Sequence, residues 1–406
     1  MSPETLLQRI TDYAHRADPY PLYAELRENG VTRQADGSYL VGTYDEIAAL
    51  LHDPRVSSDS RNRADPATLP PVRRQEQPKA FIGLDDPEHD RLRRITMRPF
   101  GPPHSPGRID ALRAEIARIC DDLVAGFRDK DRFDVVEDFA YPLPVTVIGR
   151  LLGVPHQDMP RLRGWTNDII ASLDLTADRR AAGHGDASVD AGEAMEEYLG
   201  DLAERRRSDP SDDMLSALVH DSGPDGRLTP QELRATARLL LIAGHETTVN
   251  LISNGALTFL RYPDALRLLR ENPELMPGAV EELLRYEPPV QLLPQRSPLA
   301  DIEVAGVTVP EGAPLILVLA AGNRDPLRFE NPDRFEPTRA DNQHFGFGSG
   351  VHNCFGAPLA RLEARIALTT LLPHLENLHL SQDPPPYRRS PVLRGPRHVG
   401  VEGVVG

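Results

Sequence analysis

Apolar residues recur at helical spacing through 110–128, 138–152, 190–206, 229–261, 263–287 and 357–375, and the pattern predicts helices there. Thr229-Pro230-Gln231-Glu232 marks the start of the longest, with proline in the first turn. Strand signals are fewer. Gly37 to Tyr44 reads as a hairpin arm, and Ala300 to Leu319 alternates around a Pro310-Glu311-Gly312 turn. Three stretches break the periodicity: 55–80, rich in Ser, Arg, Pro and Asp; 175–190, around Ala181-Ala182-Gly183-His184; and Pro384-Pro385-Pro386. Loops as long as the first are usually functional or mobile. The pattern predicts a mainly α fold, one unit over 1–406, with a large helical lobe and a small β lobe at about 20–60 and 288–325.

Composition narrows the function classes. The chain has 406 residues, 40% hydrophobic and 26% charged, enough for a large globular core. A net charge of −15 argues against nucleic acid or an anionic membrane as partner. Cys120 and Cys354 make no disulfide framework and fit a reducing cytosol. No segment approaches the about 18 apolar residues of a membrane span, and Met1 to Tyr20 has no signal-peptide core. A cytoplasmic protein is expected.

The densest chemical signal is Phe347-Gly348-Ser349-Gly350-Val351-His352-Asn353-Cys354-Phe355-Gly356, followed by Ala357-Pro358-Leu359-Ala360-Arg361. Its glycines permit backbone conformations that other residues resist. Cys354 stands just before a helix start, where backbone N–H groups and the positive helix end stabilise a thiolate. The plain alternative is a buried cysteine in a glycine-rich turn. A dinucleotide-binding G-x-G-x-x-G from Gly346 fails, because Val351 stands where glycine is required. The loop resembles the haem-binding loop of the cytochrome P450 family, with Phe347, Gly350, Cys354 and Gly356 at the family's offsets. The resemblance implies Cys354 as the single protein ligand to a haem iron. It places Phe347, Gly348 and Gly356 around the porphyrin and His352 at a haem propionate.

A second signal lies in the long helical stretch, at Leu239-Leu240-Leu241-Ile242-Ala243-Gly244-His245-Glu246-Thr247-Thr248. Leu239, Ala243 and Thr247 are spaced by four and share a face, and Arg238 points to the opposite side. Ala243 and Gly244 are small and admit a flat ligand. Thr247 can hold a proton near bound dioxygen and Glu246 can relay protons from solvent. The bland reading is a Thr247 hydrogen bond to the Ala243 carbonyl and a solvated Glu246. A zinc H-E-x-x-H fails at Val249. The segment is similar to the family's distal-helix pattern Ala-Gly-x-acid-Thr.

Further residues acquire roles from the resemblance. Glu282 and Arg285, at i,i+3, read by themselves as a surface pair. The family's E-x-x-R makes them, with Arg334 of Pro332-Asp333-Arg334-Phe335, a buried support for the cysteine loop. His89 and Arg93, at i,i+4, can grip one anion together. With Arg296 they are expected, by resemblance, on the propionates.

The resemblance runs from Asp18 to Gly395, with local departures at 101–107 and at Gly322. It implies a cytochrome P450 fold around buried haem b (iron protoporphyrin IX). The activity it implies is a monooxygenase that hydroxylates or epoxidises a hydrophobic small molecule of natural-product metabolism with dioxygen. No flavin or nicotinamide motif is present, so electrons are expected from a ferredoxin and its reductase, docked on Arg91, Arg94 and Arg98 of a monomer. The substrate pocket is expected from the 55–82 loop, the 166–180 region, Leu239, Ala243, Val290, Leu293, Val392 and Leu393. Two rivals remain: a peroxide-driven peroxygenase on the same haem, and a non-catalytic family-like auxiliary protein that binds an enzyme partner.

Overall fold

The computed structural model of the chain describes residues 5–64, 80–101, 105–128, 130–171 and 184–403. Its axis is a helix of 32 residues, Pro230–Arg261, about 48 Å long at 1.5 Å per residue. The start is a capping box: Thr229 accepts from the Glu232 N–H at 3.2 Å and Glu232 accepts from the Thr229 N–H at 2.8 Å. From Thr248 to Phe259 every residue is buried, as in a helix surrounded by others. The helices Pro142–Leu152, His184–Ser208 and Ala357–Leu371 pack around it. Buried Ser253 and Thr258 donate to carbonyls four residues back, each at 2.7 Å, so they enter this interior already hydrogen-bonded.

Prolines set several boundaries that periodicity blurs. The stretch 263–287 is two helices, Pro263–Glu271 and Met276–Tyr286, joined by a tight turn at Pro273–Leu275. Pro273 has no N–H to continue the first helix, and Pro277 suits the opening of the second. The stretch 138–152 begins as a wider π turn, Val136–Ala140, before Pro142 opens the regular helix. The helix at 190–206 reaches back to His184, so part of the supposed connection at 175–190 is helical; 172–183 lie outside the described residues.

Among the described residues the sheets draw on ten strands: β1 Thr32–Arg33, β2 Tyr39–Val41, β3 Val56–Ser57, β4 Arg132–Asp134, β5 Leu293–Pro298, β6 Ile302–Val304, β7 Val307–Val309, β8 Leu315–Leu317, β9 Leu378–Leu380 and β10 Gly400–Gly403. One five-stranded sheet runs β1-β2-β8-β5-β3, with only β2 and β8 parallel. The hairpin β6–β7 turns at Ala305 and Gly306, both at positive φ. The expected turn at Pro310 to Gly312 follows it and leads into β8, with the Ala313 N–H donating to the Pro310 carbonyl at 3.1 Å and the Gly312 N–H to the Pro298 carbonyl at 2.8 Å. Among the described residues no helix is long and apolar enough to cross a membrane.

Candidate active site

The cysteine loop is a folded hook between the helix Tyr44–His52 and the helix Ala357–Leu371. Gly348 and Gly350 both have positive φ, and a side chain at Gly350 would press on the Leu51 carbonyl. The Cys354 N–H donates to the Phe347 carbonyl at 2.9 Å, which closes the hook. Cys354 is surrounded by protein, yet its side chain is accessible, because it faces an internal cavity. Burial holds its thiol above the ordinary value; N–H groups of Gly356 and Ala357 and the charges of Arg93 and Arg361 work the other way.

Across the cavity stands the central helix. Ala243 is exposed in the middle of a helix otherwise wrapped by protein, and Leu239 and Thr247 are partly so. Their face is the cavity wall, as the spacing of four requires. The empty space, open mouth included, is about 1410 Å³.

Val290 and Leu293 line the cavity, with Phe81 and Ile82 from the described end of the 55–82 loop; 65–79 lie outside the described residues. Val392 and Leu393 do not reach it. They sit in a neighbouring apolar cluster with Ile170, and Leu393 bridges to Val290 while Val392 accepts from the Gln291 N–H at 2.8 Å. They back the wall that Val290 forms. Of the 166–180 region, 172–180 lie outside the described residues.

One end of the cavity collects donors and cations. His89 and His352 have ring centroids 4.3 Å apart. His89 Nδ1 meets Asp86 at 3.2 Å, while its buried Nε2 has no hydrogen-bond partner among the described residues. Arg296 is buried, and burial pulls it down to about 10. Burial, then the charges of Arg296, His89 and Arg93, push His352 down to about 3. Arg93 donates to the Asn353 carbonyl at 2.6 Å. Buried cations and an orphaned ring nitrogen call for an anion. The two carboxylates of a haem would fit this donor set.

The distal pair is split between two environments. The Thr247 hydroxyl lies at the cavity surface and donates to the Ala243 carbonyl at 2.7 Å. Glu246 is neither in the cavity nor solvated. It is buried on the helix's far side, with Oε1 2.9 Å from Arg388 Nε in an ion pair outside hydrogen-bond geometry. Burial holds its carboxyl above the ordinary value, against the opposing charges of Arg388 and Arg163. His245 packs edge-on to Tyr141 at 5.0 Å and is pushed to about 3, by burial first and then by Arg388 and Arg163. Both Glu246 oxygens, His245 Nε2 and the Tyr141 hydroxyl are buried without hydrogen-bond partners among the described residues. Such atoms normally bind ordered water, which suits proton transfer. Arg163 lies 3.8 Å over the Tyr141 ring and pairs with Glu137 where the cluster meets the surface. Arg238 points away and pairs with Glu196 at 2.9 Å.

Sequence reasoning missed Glu363, a buried carboxylic acid in the cavity wall that burial pushes up to about 8. The signal was available: it falls four residues after Leu359 and four before Ala367, on the buried face of its helix.

Two expectations need correction. Glu282 and Arg285 form a fully buried bidentate pair, both contacts 2.8 Å, but Arg334 contributes only its carbonyl, at 3.1 Å from Arg285. The third member is Arg339, whose Nε reaches Glu282 at 3.1 and 3.2 Å. The chain turns after Phe335, so the exposed Arg334 leads outward while Arg339 comes back beneath the pair. The proposed basic dock is also neutralised: Arg91 pairs with Glu232, Arg94 with Asp90 and Asp225, and Arg98 with Asp221 and Asp225.

The Cytochrome P450 family profile matches residues 37–402. The chain is 40% identical to Cytochrome P450 monooxygenase PikC of Streptomyces venezuelae, over 93% of this chain and 89% of that one. It is 36% identical to 6-deoxyerythronolide B hydroxylase of Saccharopolyspora erythraea, over 98% and 99%. The ligand-free crystal structure of Mycobacterium smegmatis CYP164A2 superposes with a TM-score of 0.88 at 38% identity, over 98% and 99% of the two chains. This chain therefore belongs to the cytochrome P450 family of haem-iron monooxygenases.

Proposed function

We propose that this monooxygenase holds haem b with Cys354 as its thiolate ligand and oxygenates a hydrophobic small molecule of natural-product metabolism. The observation that carries the reading is Cys354 facing Ala243 and Thr247 across one apolar cavity. His89, Arg93, Arg296 and His352 would hold the propionates, and Phe347 would lie against the ring. When bound, the haem supplies dioxygen reduction and oxygen transfer, with the thiolate pushing electron density toward the iron. The protein's share is proton supply and exclusion of water. Thr247 presents a hydroxyl proton at the cavity surface. Glu246, whose carboxyl burial raises above the ordinary value, replenishes it through the cluster with His245 and Tyr141.

The lining is mostly aliphatic and aromatic, which favours a substrate uncharged at its buried end. A relative named for its substrate, 6-deoxyerythronolide B hydroxylase, supports the same class. Electrons come from a ferredoxin and its reductase. The support is the lack of any flavin or nicotinamide motif in the sequence, since the Arg91, Arg94 and Arg98 face offers little free charge. A cytoplasmic monomer completes the proposal, in keeping with two unpaired cysteines. The test is turnover of a macrolide precursor panel under isotope-labelled dioxygen with reductase and ferredoxin. One labelled atom in the product supports the reading; product labelled only from water, or none across the panel, rejects it.

A further inference from the structure

Two adjacent glutamates on the helix Met276–Tyr286 face different partners. Glu282 turns inward to Arg285 and Arg339. Glu281 has no place in the account so far. Its carboxylate forks the Arg361 guanidinium, Oε1 to Nε at 2.7 Å and Oε2 to Nη2 at 2.8 Å. Oε2 also meets His344 Nε2 at 3.2 Å, and His344 Nδ1 accepts from the Gly346 N–H at 3.0 Å. Arg365 approaches from the next turn at 3.9 Å.

What Arg361 does with this support matters. Its guanidinium carbon lies 4.5 Å from the centroid of Phe347, a cation over an aromatic face. Phe347 lines the cavity, and its carbonyl holds the Cys354 N–H. The arrangement is a series: anion, cation, aromatic ring, thiolate. Arg361 is also among the charges that favour the Cys354 thiolate. Burial alone would raise the Glu281 carboxyl, but hydrogen bonds from His344 and Arg361 bring it to about 2, so it is ionised at any working pH. A bidentate Arg–carboxylate pair is geometrically stiff, which fixes where the compensating charge sits.

We propose that Glu281 is a positioning residue that sets the reduction potential of the haem iron, by holding Arg361 on Phe347 and offsetting its charge. The proposal rests on Cys354 being the iron ligand. A cation beside the thiolate withdraws electron density and favours the reduced metal; an anion fixed behind that cation weakens the effect. Removing either charge should move the potential, in opposite directions.

The experiment is a spectroelectrochemical titration of the haem-loaded protein and four variants: Glu281→Gln, Glu281→Asp, Arg361→Gln and the Glu281→Gln/Arg361→Gln double. Glu281→Gln is expected to shift the equilibrium about tenfold toward reduced iron, 59 mV for one electron. Arg361→Gln should shift it the other way, the double variant should fall between them, and Glu281→Asp should stay near wild type. Loss of packing alone would not give opposite signs. Shifts of the same sign, or no shift in either single variant, overturn the proposal. If Glu281→Gln loads no haem, Arg361→Gln and Glu281→Asp decide: a lowered potential in the first with a near-native value in the second sustains it, and any other pair of values overturns it. A wild-type carbon monoxide complex without the thiolate's red shift would instead remove the ligand reading, and the proposal with it.

Discussion

Glu363 sits in the cavity wall with its carboxyl pushed to about 8 by burial. The unfolded chain would release this proton near the ordinary carboxylate value of ~4.3, and the folded chain only near 8. Folded stability from this group is therefore undiminished below that lower value and falls as pH rises toward 8, levelling above it. Glu363→Gln removes the fall. Its thermal midpoint relative to wild type should rise between pH 5 and pH 8; an unchanged difference would mean the acid titrates normally. Arg339 and Arg334 give a second residue-scale test. Arg339→Ala strips a charged hydrogen bond from buried Glu282 and should cost about 1.5–3 kcal/mol, whereas Arg334→Ala should stay within about 0.5 kcal/mol. Equal losses in thermal melts would contradict the assignment. Thr247→Ala should leave substrate binding intact and lower product per reductant consumed by at least about tenfold, because the cavity loses its hydroxyl proton. Single residues were unevenly legible. Cys354 and Thr247 stood out because loop and helix patterns fix their neighbours. Arg339 did not, because nothing local shows which of two nearby arginines the chain turns inward.

At the scale of elements, the hook that carries Cys354 depends on a backbone that only glycine tolerates at 350. Gly350→Ala combines strain of roughly 1–3 kcal/mol with a clash against Leu51, so the hook should open. The expected outcome is a folded helical protein by circular dichroism that retains little haem; full haem retention would show that the hook adapts. The central helix was legible almost to the residue, because a proline-led capping box and 32 residues of periodicity agree. The helix Met276–Tyr286 was merged with its neighbour, since the apolar spacing continues through Pro273 while the hydrogen bonding does not. The strands were found only in part. β3, β4, β9 and β10 are two to four residues long, too short for alternation to register.

The whole molecule brings the cysteine hook, the central helix and the β5 strand to one cavity from positions far apart in sequence. That convergence could be expected only from family resemblance, because spacing reports local faces and not which faces meet. It also explains why Val392 and Leu393 were misplaced: their apolar character marks them as buried, and only the fold shows that Val290 lies between them and the cavity. The auxiliary-protein rival is tested at this scale, since a protein without haem would revive it. The most direct measurement is the absorption spectrum of the reduced, carbon monoxide-treated protein, for wild type and Cys354→Ala. The account predicts a strongly red-shifted Soret band in wild type that the substitution abolishes. A colourless wild type, or a band that Cys354→Ala leaves in place, would contradict it.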